Sequence, residues 1–202
     1  MFDPGTFSFV EGGPRPGDFT GLDAVVVTHA HPDHMDAEAL VEIMRSNAGA
    51  VLLSNAGVAA ALRERGTAVE LFEEGTRTIG GMKIDAYEAR HAPIVSGKIP
   101  PNTAYIVDDI LLNPGDSYAY SLDELRGKFE VLALPVMAPW TTEVETIGFA
   151  ARMAPRRVLP IHDGYAKDFF LRMRYDNFEK HFGSQGVRFE RPERAGDSVD
   201  IG

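Results

Sequence analysis

The 202-residue sequence contains no cysteine. Disulfide bonds, a thiol nucleophile and a thiolate-bound metal are therefore excluded, and the composition fits a reducing compartment such as the cytoplasm. No run of about 18 apolar residues is present, as a transmembrane helix would require. The first residues show neither the basic nor the apolar segment of a secretory signal. We therefore expect a cytoplasmic protein that does not contact a membrane.

Positive charge is also scarce, because 20 Lys and Arg residues face 30 Asp and Glu residues. A net charge of −10 argues against nucleic acid as a partner, since affinity for phosphate backbones comes largely from Lys and Arg. A small-molecule substrate is the expected partner. Hydrophobic residues make up 44% of the chain and charged residues 25%, as in ordinary globular proteins. We expect one domain over residues 1–202.

Strand and helix patterns alternate along most of the chain, which predicts an α/β fold with helices covering sheet. Asp36, Asn55 and Thr142 are predicted helix caps. The predicted strands are 24–27, 50–53, 69–72, 83–89, 103–107, 110–112, 131–134, 158–161, 187–190 and 198–201. Three predicted helices start after Asp36, Asn55 and Thr142, and a short capped helix is predicted over 121–128. A longer helix carries an apolar stripe formed by Leu171, Tyr175, Phe178 and Phe182. In the helix after Thr142, the predicted buried face is Val144, Ile147 and Ala151.

The densest motif is His29-Ala30-His31-Pro32-Asp33-His34, which directly follows the apolar run 24–27. Side chains two residues apart in an extended segment point the same way, so His29 and His31 can share one cation. Asp33 and His34 then turn towards a second. Imidazoles with a carboxylate suit zinc or a similar first-row ion. The alternative is a polar turn whose histidines are solvated.

Three more potential ligands lie at the ends of predicted strands: His91 and His162 follow their strands closely, and Asp116 follows a strand that breaks into a glycine turn. Loops that follow neighbouring strands can meet at the same edge of a sheet, even when they are far apart in the sequence. Each residue alone is a weak signal, because a histidine after a strand is more often a local hydrogen-bonding group and Asp116 could belong to an Asx turn. His181 lies on an amphipathic helix, and we interpret it as structural or solvated.

Taken together, the HxHxDH loop, the later histidine, the Gly-Asp pair and the last histidine resemble the metallo-β-lactamase superfamily over nearly the whole chain. The resemblance implies a four-layer αββα sandwich with a dinuclear site at the shared edge of two sheets. It implies two divalent cations, with zinc favoured and manganese or iron as alternatives. The implied ligands are His29, His31 and His91 for the first cation, Asp33, His34 and His162 for the second, and Asp116 as the bridge.

The same resemblance implies hydrolysis of an ester, lactone or phosphodiester by a metal-bridging hydroxide, which Asp33 or Asp116 would orient. Asp3, in Phe2-Asp3-Pro4-Gly5, matches the family's early aspartate, which fixes a ligand histidine. Its other interpretation is a turn residue before proline. Two alternative functions stay open: a metal-binding module without catalysis, and a mononuclear iron dioxygenase.

Several branches of the superfamily fit poorly. True β-lactamases use a cysteine ligand and usually lack the counterpart of His34, and the diiron reductases place a glutamate where His31 stands. Hydroxyacylglutathione hydrolases continue the motif with glycines, and transfer-RNA nucleases carry an added arm. The remaining similarity is to the group around the L-ascorbate-6-phosphate lactonases. It rests on four segments: Phe2-Asp3-Pro4-Gly5, Pro101-Asn102-Thr103-Ala104-Tyr105, Gly115-Asp116-Ser117 and Leu159-Pro160-Ile161-His162.

Loops beside the ligands supply residues for a substrate pocket, although a surface or packing role is open for each: Lys98, Asn102, Tyr118, Trp140 and Tyr165. The family normally has two or three strands before the Asp-Pro-Gly turn, whereas this sequence begins at that turn. An uncovered sheet edge tends to recruit another strand. We therefore expect a homo-oligomer that covers this edge.

Overall fold

The computed structural model describes residues 1–95, 98–192 and 197–201. Within them, two sheets are flanked by helices. The strands are β1 Ala24–Val26, β2 Val51–Ser54, β3 Glu70–Leu71, β4 Gly75–Ile79, β5 Met82–Glu88, β6 Thr103–Val107, β7 Leu111–Asn113, β8 Val131–Pro135, β9 Arg157–Ile161 and β10 Arg188–Phe189. The α-helices are α1 Ala37–Ser46, α2 Ala56–Leu62, α3 Glu143–Met153 and α4 Asp168–Ser184. In these ranges, no helix is both long and apolar enough to cross a membrane.

The smaller sheet has the order β1-β2-β3 and is parallel throughout. Phe2 extends it by a single parallel bridge to Val26. The larger sheet has the order β10-β9-β8-β7-β6-β5-β4. Its strands are antiparallel from β4 to β7 and parallel from β7 to β10.

Three apolar clusters separate four layers. Between the sheets, Val26 and Leu53 of the smaller sheet pack with Ile84 and Tyr105 of the larger one. The outer face of the smaller sheet is covered by α1 and α2, whose buried residues are Leu40, Ile43, Val58 and Leu62. The outer face of the larger sheet is covered by α3 and α4, which bury Phe149, Met153, Phe178 and Phe182. The predicted αββα sandwich is confirmed.

Side-chain caps start three of the four helices, as the sequence predicts. The Asp36 carboxylate accepts hydrogen bonds from the first-turn amides of α1, and the Asn55 side-chain oxygen does so for α2. Thr142 forms a reciprocal capping box with Glu145 at α3. Such caps satisfy backbone donors that have no partner inside the helix.

Two predicted elements are wrong, and one strand was not predicted. Segment 121–128 is not a capped helix but a 3-10 helix, Tyr120–Leu125, that has no side-chain cap. Residues 198–201 lie outside any strand. The sequence also missed β4, an edge strand whose residues are exposed or half-buried, so that no apolar alternation marks it.

The buried face of α3 differs from the predicted one. Val144 is 79% exposed, and Ala151 is also exposed. The helix instead turns its largest apolar residues, Phe149 and Met153, to the sheet. Burial of these larger side chains removes more apolar area from water than burial of a valine and an alanine.

Candidate metal centre

The site lies where loops from both sheets meet at one rim. The segment 29–34 follows β1, His91 follows β5, Asp116 follows β7 and His162 follows β9. Thr28 connects the two sheets at this rim. Its carbonyl oxygen accepts hydrogen bonds from the Thr103 backbone amide at 3.0 Å and from the Asn55 side chain at 2.8 Å. These contacts fix the end of β1 relative to the larger sheet.

Three imidazole nitrogens converge in what we call the first half-site. The Nδ1 atom of His31 lies 3.1 Å from Nε2 of His29 and 3.2 Å from Nε2 of His91. Oxygen Oδ2 of Asp116 lies 3.6 Å from the His91 nitrogen and 3.9 Å from the His29 nitrogen. Tetrahedral ligands bound to zinc at 2.0–2.1 Å are separated by about 3.3–3.4 Å, so the spacing fits such an ion.

Asp33, His34 and His162 form the second half-site. The Oδ2 atom of Asp33 lies 3.1 Å from Nε2 of His162 and 3.7 Å from Nε2 of His34. Oxygen Oδ1 of Asp116 lies 3.2 Å from the His34 nitrogen and 3.3 Å from the His162 nitrogen. The Asp116 carboxylate therefore turns one oxygen to each half-site.

Backbone carbonyls fix the tautomers of two ligand histidines. Nδ1 of His91 lies 2.6 Å from the Ala92 carbonyl oxygen, and Nδ1 of His162 lies 2.7 Å from the Met137 carbonyl oxygen. A carbonyl oxygen only accepts, so each Nδ1 carries the proton and donates it. The Nε2 atom of each ring therefore faces the centre, as metal ligation requires.

Asp3 fixes the other two rings that present Nε2. Its Oδ2 lies 3.0 Å from Nδ1 of His34 and accepts a hydrogen bond from the Thr28 hydroxyl at 2.9 Å. Because that hydroxyl has donated its only proton, its oxygen is left to accept from Nδ1 of His29, at 3.0 Å. One carboxylate thereby orients a ligand of each half-site.

The centre contains buried polar atoms that no proton donor or acceptor of the described chain satisfies. They are Nε2 of His34, Nε2 of His162 and Oδ1 of Asp116. Leaving such atoms unpaired is costly. Nitrogen and oxygen lone pairs aimed at common points are what a first-row cation binds, so the residues present fit a pair of divalent ions.

The two half-sites differ in proton affinity. Burial and the neighbouring imidazoles lower the pKa values of His29 and His31. Burial also acts to lower the pKa values of His34 and His162, but the neighbouring carboxylates outweigh it and raise them to about 9 and about 11. Although burial acts to raise the pKa of Asp33, contact with His162 and His34 lowers it to about 2.

These directions predict a pH dependence that differs between the half-sites. At pH 7, without metal, His34 and His162 are protonated, so a cation entering the second half-site displaces about two protons. Its affinity should therefore rise as the pH increases from 7 to 9. Binding in the first half-site should release no proton from His29 or His31, which are already neutral. Calorimetric titration in buffers of different ionisation enthalpy measures this release, and equal release at both sites would contradict the prediction.

The five residues predicted for a substrate pocket have unlike environments. Asn102 is buried and its side chain bonds only backbone groups, of Ala89, Pro114 and Asp116, so it braces the ligand loops rather than facing a pocket. Tyr118 is largely buried, with its hydroxyl on the Pro135 carbonyl oxygen and Thr146. Both residues therefore have a structural role.

The other three predicted pocket residues are more accessible. Lys98 is exposed. Trp140 donates its indole N–H to Oδ2 of Asp116 at 2.7 Å. Tyr165 is 46% exposed, stacks on His162 and donates its hydroxyl to Oδ2 of Asp33 at 3.1 Å. Two of the five, Trp140 and Tyr165, thus donate a hydrogen bond to the side chain of a predicted ligand.

A cavity of about 920 Å³ opens beside the second half-site. Asp33, His34 and His162 line one part of it, and Arg172 and Tyr175 of α4 line another. None of the five predicted pocket residues belongs to its lining. The cavity could not be predicted from the sequence, because the only sequence signal of α4 is its apolar stripe.

Comparison with known proteins gives consistent matches. The family model described as a beta-lactamase superfamily domain matches residues 1–162, a range that contains all seven predicted ligands. Protein Rv0786c of Mycobacterium tuberculosis is 34% identical over 169 residues, which cover 80% of this chain and 74% of that protein. A UPF0173 metal-dependent hydrolase of Pyrococcus horikoshii is 32% identical over 179 residues, covering 80% and 76%. The structure of Igni18, a metallo hydrolase of Ignicoccus hospitalis, shares the fold with a TM-score of 0.65 at 22% identity, covering 88% of this chain and 78% of that one.

Proposed function

Because the chain belongs to the beta-lactamase superfamily, we propose that it is a hydrolase that depends on two divalent cations, with zinc as the first choice and manganese or iron as alternatives. His29, His31 and His91 would hold one cation, Asp33, His34 and His162 the other, and Asp116 would bridge them. The observation that carries the proposal is the convergence of lone pairs from four loops on two points, with three of the buried atoms unpaired. The metal-dependent hydrolase of P. horikoshii supports the same activity.

When bound, the cations would lower the pKa of a shared water, so that hydroxide becomes available, and would stabilise negative charge on the group under attack. The chain's own groups do the orienting. The Asp33 carboxylate is ionised at neutral pH and lines the cavity beside the second half-site, where it would orient the attacking hydroxide. Asp3 and the carbonyls of Ala92 and Met137 hold the imidazoles in place.

The proposed substrate is a small molecule with an ester, lactone or phosphodiester bond, of the kind handled by the branch around the L-ascorbate-6-phosphate lactonases. Two cations add about four positive charges to the site, which suits an anionic substrate although the chain as a whole is acidic. The motif context after His91 and before His162, Pro101-Asn102-Thr103-Ala104-Tyr105 and Leu159-Pro160-Ile161, supports this branch.

The test is a hydrolysis screen of lactones, simple esters and phosphodiesters on zinc- and manganese-loaded protein, with and without a chelator. Turnover should be lost with the chelator and restored by metal. His31→Ala should lower turnover by at least about tenfold, since even the partners around metal ligands are worth 10–100-fold. His181→Ala is the matched control, because His181 lies on α4 away from the centre.

Three outcomes would overturn the proposal. A protein that binds two cations but hydrolyses none of the compounds is a metal-binding module. Iron content with oxygen consumption identifies an iron oxygenase. Turnover that is insensitive to both the chelator and His31→Ala places hydrolysis elsewhere in the protein.

A further inference from the structure

The loop between β8 and α3, residues 136–142, makes two separate contacts with the second half-site and its bridge. The carbonyl oxygen of Met137 accepts the Nδ1 proton of His162 at 2.7 Å. Three residues later, the indole N–H of Trp140 reaches Oδ2 of Asp116 at 2.7 Å. Residues 136–142 therefore form hydrogen bonds with two of the predicted ligands, His162 and Asp116.

The Trp140 contact makes the two oxygens of Asp116 unequal. Oδ2 shares its lone pairs between the indole N–H and the first half-site. Oδ1 has no hydrogen-bond partner within the described chain and lies 3.2–3.3 Å from the nitrogens of His34 and His162. An indole N–H is a donor only, so it fixes which oxygen stays free.

The indole itself is held in place by aromatic packing. Its ring meets Tyr118 edge-on at 4.8 Å, and Tyr118 stacks on Phe149 of α3 at 4.5 Å. The Tyr118 hydroxyl is anchored on Thr146 at 3.1 Å, also on α3. The indole N–H is thus positioned by the layer of helices that covers the larger sheet.

From this geometry we propose that Trp140 is a positioning residue for the bridging carboxylate, and that it sets the affinity of the second half-site for its cation. The proposal rests on the proposed dinuclear site. Without the indole N–H, the Asp116 carboxylate is free to rotate, and Oδ1 is no longer aimed at the second half-site. The first half-site keeps three imidazoles whose orientation does not depend on Trp140.

The test is Trp140→Phe, which keeps a ring against Tyr118 and removes the donor. Metal affinities are measured by chelator competition, after circular dichroism has checked the fold. The second equivalent of zinc should bind about 10–100-fold more weakly, as is typical for loss of a partner of a metal ligand, and the first should change less than about threefold. Tyr120→Phe, at a tyrosine that is 77% exposed, serves as the control and should bind both equivalents like the wild type.

A second measurement needs no variant. Trp140 is the sole tryptophan of the chain, so the tryptophan emission comes from this side chain alone. Titration of the metal-free wild type with cobalt(II) should change the emission as the second equivalent binds. Equal affinities in Trp140→Phe and wild type, or emission that is unchanged by the second equivalent in a wild type that binds two, would overturn the inference. A wild type that binds no metal would instead refute the proposed function.

Discussion

Replacing Asp116 with alanine is expected to lower turnover at least about 100-fold and to abolish binding of the second cation. The change removes the group that faces both half-sites, whereas loss of a partner behind a ligand already costs 10–100-fold. It also leaves His34 and His162 without their shared carboxylate, so their raised pKa values should fall towards the ordinary value. Steady-state kinetics and elemental analysis of the variant provide the measurement.

Asp176→Ala is the matched control for this change. Asp176 is an aspartate of α4 whose side chain is 66% exposed and pairs with Arg191 at the surface. The control should keep wild-type turnover and metal content. An Asp116→Ala variant with wild-type turnover would show that hydrolysis does not use the bridge.

Substituting Gly5 with alanine is expected to destabilise the fold and displace the HxHxDH loop. A Cβ atom on Gly5 would lie 1.8 Å from the Asp33 carbonyl oxygen and 2.6 Å from the His34 backbone nitrogen. Both are backbone atoms, which cannot rotate away as a flexible side chain could. Overpacking of this kind costs about 1–3 kcal/mol, and here the strain falls directly on two ligands of the second half-site.

Thermal and urea unfolding of Gly5→Ala measure the loss of stability, and metal content measures the displacement of the loop. Gly49→Ala is the control, because a Cβ atom at Gly49 meets no other atom within 4 Å. A Gly5→Ala variant as stable as the control, with full metal content, would show that the two segments are not packed as described.

The positions of the candidate ligands could be predicted from the sequence because each lies in the segment that follows a predicted strand. These strands end at Val26, Glu88, Asn113 and Ile161, and the topology carries the loops that follow them to one rim. Helix caps were equally readable, since Asp36 and Asn55 use short-range contacts between neighbours in sequence. Local signals therefore predicted the fold class and marked candidate ligands, whereas the assignment of seven ligands to two cations came from the resemblance of the whole motif set to the superfamily.

Contacts between distant segments could not be predicted in this way. The carbonyls of Ala92 and Met137 fix two imidazoles, but a backbone carbonyl has no signature in the sequence. Trp140 was predicted as a pocket wall, whereas its indole N–H bonds a carboxylate 24 residues away. Edge strand β4 was missed for a related reason, because its pairing with β5 depends on backbone hydrogen bonds rather than on an apolar pattern.

The central claim is that seven side chains form one centre for two cations. Anomalous diffraction at the zinc edge, on crystals of the metal-loaded protein, tests it most directly. The account predicts two peaks per chain, one among His29, His31 and His91 and one among Asp33, His34 and His162, with Asp116 between them. A single peak, or peaks away from these residues, would contradict it.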